Sequence, residues 1–341
     1  MPTQIRKVLI SAFGDESNVN VVTASIADPA AKEVQVRVMY SGFSGADVNM
    51  RRGLYPMQRA APLTPGYCFV GTVERNGPKS TKFKVGDVVC CLSVYDAEAE
   101  LANMPEKYII PVPSGIDPKV ATALTLDWNT AYGMVMRAAR VTSGQKVFIH
   151  GISGAVGWAT AVLSSLQGAE VYGTASARNH TAVKAGLPSA TPFDYANKDW
   201  IQTMKSIGGV DAVFDALGFE SWDESYSILT CSGGKLIGYG GNLSSLTGVA
   251  PRSAIPSITK LFARNYLKFW DGKNATFYYI TRDDSTFEPD LRALFELCAS
   301  GKIQVPIKRV FEMERIQEAH KSWSQGQGVG SSLVKVATDA S

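Results

Sequence analysis

Apolar and polar positions alternate in short runs through the first third of the chain. Residues 7–11, 34–40, 69–73, 85–91 and 107–111 read as strands, punctuated by Gly66, Gly71, Gly77-Pro78 and Gly86-Asp87. That spacing predicts an antiparallel, barrel-like β domain. The pattern changes near residue 120. Residues 120–139 are rich in Ala, Leu and Met at helical spacing. Strands at 146–150, 170–175, 211–215 and 234–239 then alternate with helices at 154–166, 180–185 and 221–229. Such alternation predicts a parallel sheet covered on both faces. A helical segment at 255–270, a strand at 275–281 and a helix at 287–300 follow, then a strand, a helix at 315–323 and a last strand at 332–336. The expected architecture is a β-rich domain (1–122 and 284–341) interrupted by an α/β nucleotide domain (123–283).

Composition narrows the classes. Of 341 residues, 45% are hydrophobic and 19% charged, enough apolar material for two cores and too little charge for a disordered chain. A net charge of +3 is too balanced for a nucleic-acid footprint. No apolar stretch follows the first basic residues, so no signal peptide is expected. Residues 147–166 lack Asp, Glu, Lys and Arg over the length of a membrane span. Gly151, Gly154 and Gly157 interrupt them, however, and a buried strand, a glycine turn and a buried helix explain the stretch better. A cytoplasmic protein without a membrane span is expected. The five cysteines (Cys68, Cys90, Cys91, Cys231, Cys298) contain no C-x-x-C pair, and the histidines are His150, His180 and His320. That scarcity argues against a Cys/His zinc site and against a secreted disulfide framework.

The segment Gly151-Ile152-Ser153-Gly154-Ala155-Val156-Gly157 falls where a strand hands over to a helix. Glycines there let the backbone turn tightly and approach a pyrophosphate, while the helix N-terminus offers unpaired N–H groups and a positive dipole end. Ile152 departs from the strict G-x-G-x-x-G pattern, so the signal comes from the strand before, the helix after and the βαβ continuation. Glycines that serve strand–helix packing alone are the alternative. The next strand ends at Gly173-Thr-Ala-Ser176-Ala-Arg178. An NAD-binding protein places Asp or Glu there to hold the ribose 2′-hydroxyl. Ser176 and Arg178 instead offer donors suited to a 2′-phosphate, which makes NADPH the expected cofactor. The alternative for Arg178 is a solvated surface charge.

Further motifs join this loop in order: Gly42-Phe-Ser-Gly-Ala-Asp47, Arg52-Gly-Leu-Tyr55, Thr64-Pro-Gly66 with Gly71, Val85-Gly-Asp-Val88, Asn129-Thr-Ala-Tyr132, Asp215-Ala-Leu-Gly218 and Gly238-Tyr-Gly240. Over nearly the whole chain the set resembles the medium-chain dehydrogenase/reductases. Within them it is most similar to the zinc-independent quinone oxidoreductase and enoyl reductase branch, nearest the synaptic vesicle protein VAT-1-like reductases. The resemblance implies a Rossmann-type doubly wound parallel sheet inserted in a GroES-like β-barrel domain. It sets Ser44, Tyr67 and Cys68 at the positions of the zinc ligands of alcohol dehydrogenases, and Ala46 where those enzymes often carry a relay hydroxyl. No metal is therefore expected. The resemblance also implies that Thr130 faces the nicotinamide amide and that Tyr195 lies near the adenosine phosphate. Tyr239 and Gly240 would border the nicotinamide ribose, with Phe277 or Tyr278 close behind. Each of these could instead be packing. Ser331 stands where the family usually has lysine.

Without a metal, the easiest hydride acceptor is already polarised by conjugation: an enone, an enoyl thioester or a quinone. Hydride addition at the β-carbon leaves an enolate for hydrogen-bond donors to stabilise. Protonation at the α-carbon then needs a donor. Tyr55 is the candidate, since related enoyl reductases carry a tyrosine in this loop, and its other reading is an aromatic that closes the cleft. Ser44 is a weaker candidate for bonding a substrate carbonyl. Residues 255–270 place Lys260, Arg264 and Lys268 opposite Ile258, Leu261, Phe262, Phe269 and Trp270, an amphipathic helix that either packs on the cofactor sheet or meets a partner or membrane surface. Tyr278 and Tyr279 fall in a strand that pairs across a two-fold axis in dimeric relatives, so a homodimer is expected. The function expected is an NADPH-dependent reductase of activated double bonds or quinones. A non-catalytic NADPH-binding regulatory protein and a redox-neutral rearrangement or cyclisation catalyst are the alternatives.

Overall fold

The computed structural model describes residues 3–250 and 252–336, apart from the side chains of residues 267–269. Lys268 and Phe269 of the amphipathic pattern therefore have side chains outside the described residues. Its strands are β1 (Thr3–Ile10), β2 (Val19–Ile26), β3 (Glu33–Phe43), β4 (Phe69–Asn76), β5 (Val88–Cys91), β6 (Leu101–Pro105) and β7 (Ile110–Pro111). There follow β8 (Lys146–His150), β9 (Glu170–Ala175), β10 (Thr191–Asp194), β11 (Ala212–Asp215), β12 (Lys235–Gly238) and β13 (Asn274–Phe277). The last are β14 (Ile307–Glu312) and β15 (Ser331–Lys335).

Two compact units result. The first takes the chain up to Asn129, Thr281–Gly326 and the stretch from Ser331; the second takes Thr130–Ile280 and Gln327–Gly330. The first unit runs past residue 122 because Leu124 and Trp128 are buried and Asn129 Nδ2 donates to Phe287 O at 3.2 Å.

In the first unit the sheet order is β14-β15-β3-β4-β5-β7, β6 adds to β3, and β1 and β2 form their own antiparallel pair. All pairs in the larger sheet are antiparallel except β14 with β15. Bulges at Gln35/Val36 and Val38/Tyr40 bend β3 and increase its twist. Bridges from Lys7 to Ala99 and from Ile10 to Leu63 tie β1 to the following loops. The strand expected at 107–111 is replaced by β6, a 3₁₀ turn at Glu106–Tyr108 and the short β7. Pro105 and Pro111 lack the N–H a longer ladder needs. β5 begins at Val88 rather than 85 because Gly86, at φ +92°, is still in a turn.

His320 lies in this unit on the helix Ile316–Ser322, 2% exposed, edge-on to Phe43 with ring centroids 5.1 Å apart. Neither ring nitrogen has a hydrogen-bond partner among the described residues. Burial, with the Arg51 charge acting the same way, pushes the imidazole down to about 3. The unfolded chain takes up this proton near pH 6.5 and the folded one does not, so His320 makes stability fall as pH drops from about 6.5. Asp47 and Asp127, pushed up to about 6 and about 7 by burial, act in the opposite sense: the folded state holds their protons where the unfolded chain has lost them. The difference between His320→Leu and wild type isolates the first effect. The variant should gain in Tm relative to wild type progressively below pH 6.5, and a difference constant from pH 7.5 to 4.5 by differential scanning fluorimetry would contradict it.

In the second unit six parallel strands run in the order β10-β9-β8-β11-β12-β13. β8 and β9 have the limits expected from sequence. Val147, Phe148 and Ile149 are fully buried, as a strand covered on both faces requires. Phe148 stacks on Trp200 at 4.8 Å in a cluster with Val213, Trp222 and Leu236. The uncharged stretch 147–166 resolves into β8, a turn and the helix Ala155–Leu166. Among the described residues no helix is long and apolar enough to cross a membrane. The helix expected over 255–270 stops at Ala263 and continues as a 3₁₀ turn and a short helix. Leu261 is buried on the sheet side, while Lys260 and Arg264 both pair with Asp223.

Candidate functional site

The second unit builds its site where β8 meets the helix Ala155–Leu166. The strand order reverses here: β9 and β10 lie on one side of β8, and β11 to β13 on the other. Gly151, at φ +73°, makes the turn, with its N–H donating to Thr174 Oγ1 at 3.3 Å. Gly154 N donates to Gly151 O at 2.8 Å and Trp158 N to Gly154 O at 2.7 Å, closing the turn onto the first helical turn. A Cβ at Gly157 would collide with the Gly151 carbonyl, its carbon at 2.8 Å. Gly154, Ala155 and Val156 are half-buried at the helix N-terminus, where N–H groups have no intrahelical acceptor. Ser153 is buried and accepts from Asn179 Nδ2 at 3.2 Å. Asn179 Oδ1 in turn accepts from Gly328 N at 3.0 Å, and Gly330 N donates to Ser153 O at 3.3 Å. Asn179 and Gln327–Gly330 thus brace the turn. Sequence reasoning missed both, and nothing local in the sequence marks them.

Ser176 and Arg178 follow β9, and Arg178 is exposed. Tyr195, 65% exposed after β10, donates its N–H to Ala175 O at 3.2 Å, which brings it to the same end of the sheet. No carboxylate occurs among residues 173–180. These features fit NADPH: a glycine turn whose third glycine, Gly157, leaves no room for a Cβ, first-turn amides of a helix for a pyrophosphate, and a serine with an arginine for a 2′-phosphate. Tyr239 N donates to Asp215 O at 3.1 Å, and Gly240 packs on the Ala216 backbone. Thr130 is buried at the start of this unit. Phe277 and Tyr278, expected close behind them, also have packing roles. The Phe277 ring packs edge-on against Trp222 and belongs to the core, and the Tyr278 side chain lies against Gly133, where a Cβ would come within 2.6 Å of its ring.

His150, at the end of β8, is locked in the interior. Its ring nitrogens meet Ser225 Oγ at 3.1 Å and Thr174 Oγ1 at 3.2 Å, and burial lowers its pKa. Asp215 accepts from Leu217 N (2.7 Å), Gly218 N (3.4 Å), Ser221 Oγ (2.7 Å) and Ser225 Oγ (2.6 Å). This network fixes the turn after β11.

The first unit holds the other candidates. Ser44 is the N-cap of the helix Gly45–Arg51: its Oγ accepts from Ala46 N at 3.1 Å, and its N–H donates to Asp47 Oδ2 at 2.8 Å in a capping box. The same Oγ donates to Asp47 Oδ2 at 3.3 Å, so a substrate carbonyl would compete with Asp47 for that proton. Tyr55, half-buried, donates to Tyr67 Oη at 2.7 Å, the rings meeting edge-on at 5.8 Å. Cys68 is fully buried, lies 3.6 Å from Thr122 O and has its thiol pushed well up by burial. A capping hydroxyl, a phenol bonded to a phenol and a buried neutral thiol are a poor donor set for zinc. Among the described residues no group of three or more His, Cys, Asp or Glu could hold a metal ion. Around these residues Asp47, Glu98 and Asp127 are buried. Burial pushes Glu98 well up, the Asp47 charge adding to it, and Asp127 accepts from Ser331 Oγ at 2.6 Å.

Two family descriptions match the chain: the alcohol dehydrogenase GroES-like domain over residues 30–114 and the zinc-binding dehydrogenase domain over residues 189–334. The synaptic vesicle membrane protein VAT-1 homolog of Danio rerio is 28% identical over 340 residues, 95% of this chain and 69% of its own. A probable quinone oxidoreductase of Schizosaccharomyces pombe is 29% identical over 316 residues, 92% of each chain. The Escherichia coli quinone oxidoreductase solved in complex with NADPH superposes with a TM-score of 0.81 at 23% identity, covering 97% of this chain and 99% of that one.

Proposed function

We infer, for a chain that belongs to the medium-chain dehydrogenase/reductase superfamily and has quinone oxidoreductase and VAT-1-like relatives, an NADPH-dependent reductase of conjugated carbonyl compounds or quinones that works without zinc. The observation that carries this reading is the glycine turn at the point where the parallel strand order reverses, with Ser176 and Arg178 rather than a carboxylate after β9. Amides at the head of the helix Ala155–Leu166 would hold the pyrophosphate, and Ser176, Arg178 and Tyr195 the 2′-phosphate end. Bound there, NADPH supplies a hydride. With Ser44, Tyr67 and Cys68 engaged as they are, carbonyl activation falls to conjugation in the substrate and to hydrogen-bond donors. Tyr55 is the donor for the α-carbon, a half-buried residue whose hydroxyl is a hydrogen-bond donor.

Deuterium transfer tests the reading. NADPH and NADH, each deuterated at C4, are offered with 2-cyclohexenone, where label is followed into the β-carbon of cyclohexanone. They are also offered with 1,4-naphthoquinone, where hydroquinone formation coupled to cofactor oxidation is followed because hydrogen delivered to a quinone ends on oxygen and exchanges with water. Label in the ketone and hydroquinone formation, both well above those with NADH, are expected with NADPH. NADPH binding with neither label in the ketone nor hydroquinone formed would instead make the chain a binding protein or a redox-neutral catalyst.

A further inference from the structure

We propose that Tyr67 is a positioning residue for Tyr55, holding its hydroxyl in place and stabilising its phenolate once the proton has left; this rests on the reductase reading above. The two phenols differ in how they are held. Tyr67 is 3% exposed, and its carbonyl and a peptide group of each chain neighbour are hydrogen-bonded. Gly66 N donates to Asp47 Oδ1 at 3.3 Å, Val94 N to Tyr67 O at 2.9 Å and Gly42 N to Cys68 O at 3.0 Å. Gly66, at φ +102°, has no room for a Cβ, which would sit 2.7 Å from Glu98 N. Val94 takes φ +72°, a costly conformation for a β-branched residue, at the position whose amide holds the Tyr67 carbonyl.

Tyr55 sits differently, on the loop after the helix Gly45–Arg51. Its N–H donates to Gln58 Oε1 at 2.9 Å, and Gln58 Nε2 donates to Met50 O at 3.1 Å. Beside it Met57 is 99% exposed. The fixed phenol is therefore the inner one and the half-exposed phenol the outer one, joined oxygen to oxygen at 2.7 Å. A buried group that fixes a reactive neighbour by a hydrogen bond is the usual support for a preorganised site.

The proton balance follows. Hydride arriving at the β-carbon brings two electrons and leaves an enolate on the substrate. The hydrogen bond between the phenols reverses first: Tyr67 turns its own O–H onto the Tyr55 oxygen, which frees the Tyr55 O–H from Tyr67. The Tyr55 O–H bond then breaks as a C–H bond forms at the α-carbon, leaving Tyr55 as a phenolate that keeps the Tyr67 hydrogen bond until solvent returns a proton to Tyr55. A charge-assisted hydrogen bond of this kind is stronger than the neutral one it replaces. Quinone reduction makes a different demand, because its protons end on oxygens that water can serve.

The test is Tyr67→Phe, which keeps the ring packed, with Tyr55→Phe and the double variant alongside. With 2-cyclohexenone, Tyr67→Phe should lower kcat about 10- to 100-fold, with KM for NADPH and turnover of 1,4-naphthoquinone within about threefold of wild type. In the Tyr55→Phe background the same substitution should cost almost nothing further. In protein without cofactor, the Tyr55 resonance in [ζ-¹³C]tyrosine-labelled samples should shift in Tyr67→Phe. Wild-type enone turnover in Tyr67→Phe, additive losses in the double variant or an unmoved Tyr55 resonance would each overturn the role of Tyr67 while leaving the reductase reading intact. Wild-type protein that puts no cofactor-derived deuterium into cyclohexanone and forms no naphthohydroquinone overturns that reading and the role with it.

Discussion

Gly157→Val should lower NADPH affinity about a hundredfold or more while the second unit still folds. The helix Ala155–Leu166 approaches the turn so closely that any Cβ at residue 157 meets the Gly151 carbonyl. Backbone cannot move aside as a flexible side chain can, so the helix start and the turn must separate. The amides of Ala155 and Val156, which in the proposed site hold the pyrophosphate, would then lose their aim. Two hydrogen bonds to a charged group, at about 1.5 kcal/mol or more each, correspond to about a hundredfold or more in Kd. Calorimetric titration with NADPH measures it, and circular dichroism and Tm serve as the folding control. A folded Gly157→Val that binds NADPH as wild type does would remove the turn from the cofactor site.

The second large effect is on stability. Asp215→Ala should destabilise the second unit by about 3–5 kcal/mol, the usual cost of leaving a buried polar constellation without its anion. Asp215 is fully buried, and its loss strands two backbone amides and the hydroxyls of Ser221 and Ser225 at one stroke. Asp215→Asn keeps one acceptor oxygen but presents an NH₂ to hydroxyls that donate to the carboxylate, so it should fall between the two. Urea denaturation followed by tryptophan fluorescence reports both, since Trp222 Nε1 donates to Asp215 O at 3.4 Å. A midpoint for Asp215→Ala close to wild type would mean that the network contributes little.

The second unit was the more legible from sequence, for a physical reason. β8 and β9 are apolar runs bounded by glycines and flanked by helices of different period, so period and boundary agree. The misses were elements with weaker signals. β2, VNVVTASI, is half-exposed along most of its length; β10 has four residues, one of them Pro192, at a sheet edge; and the helix Gly45–Arg51 is short and polar. Within 120–139 the composition signalled helix correctly but carried nothing to mark the π-helical stretches Leu124–Trp128 and Gly133–Ala139, which depend on backbone bonding rather than side-chain period. The glycine turn after β8 was readable as a turn because its residues are contiguous in sequence. The tie between Tyr55 and Tyr67 was not, because they lie twelve positions apart along irregular chain and only the fold decides where each hydroxyl points. Ser44 shows the converse: a serine three residues before an aspartate at a helix start is a capping pattern that lies entirely within the local sequence.

The buried trio of His150, Ser225 and Asp215 has a consequence for reading function from atomic templates. A search for a serine, a histidine and an aspartate within bonding reach would return this interior as a hydrolase triad. Connectivity and access both refuse that reading. Here the serine hydroxyl donates to the aspartate, whereas a nucleophile must surrender its proton to the imidazole, and the histidine and aspartate lie 3.8 Å apart with no exposed side-chain surface beyond 3%. No ester or amide could reach Ser225 without unfolding the sheet. The same three residue types that cut bonds elsewhere serve here as mortar.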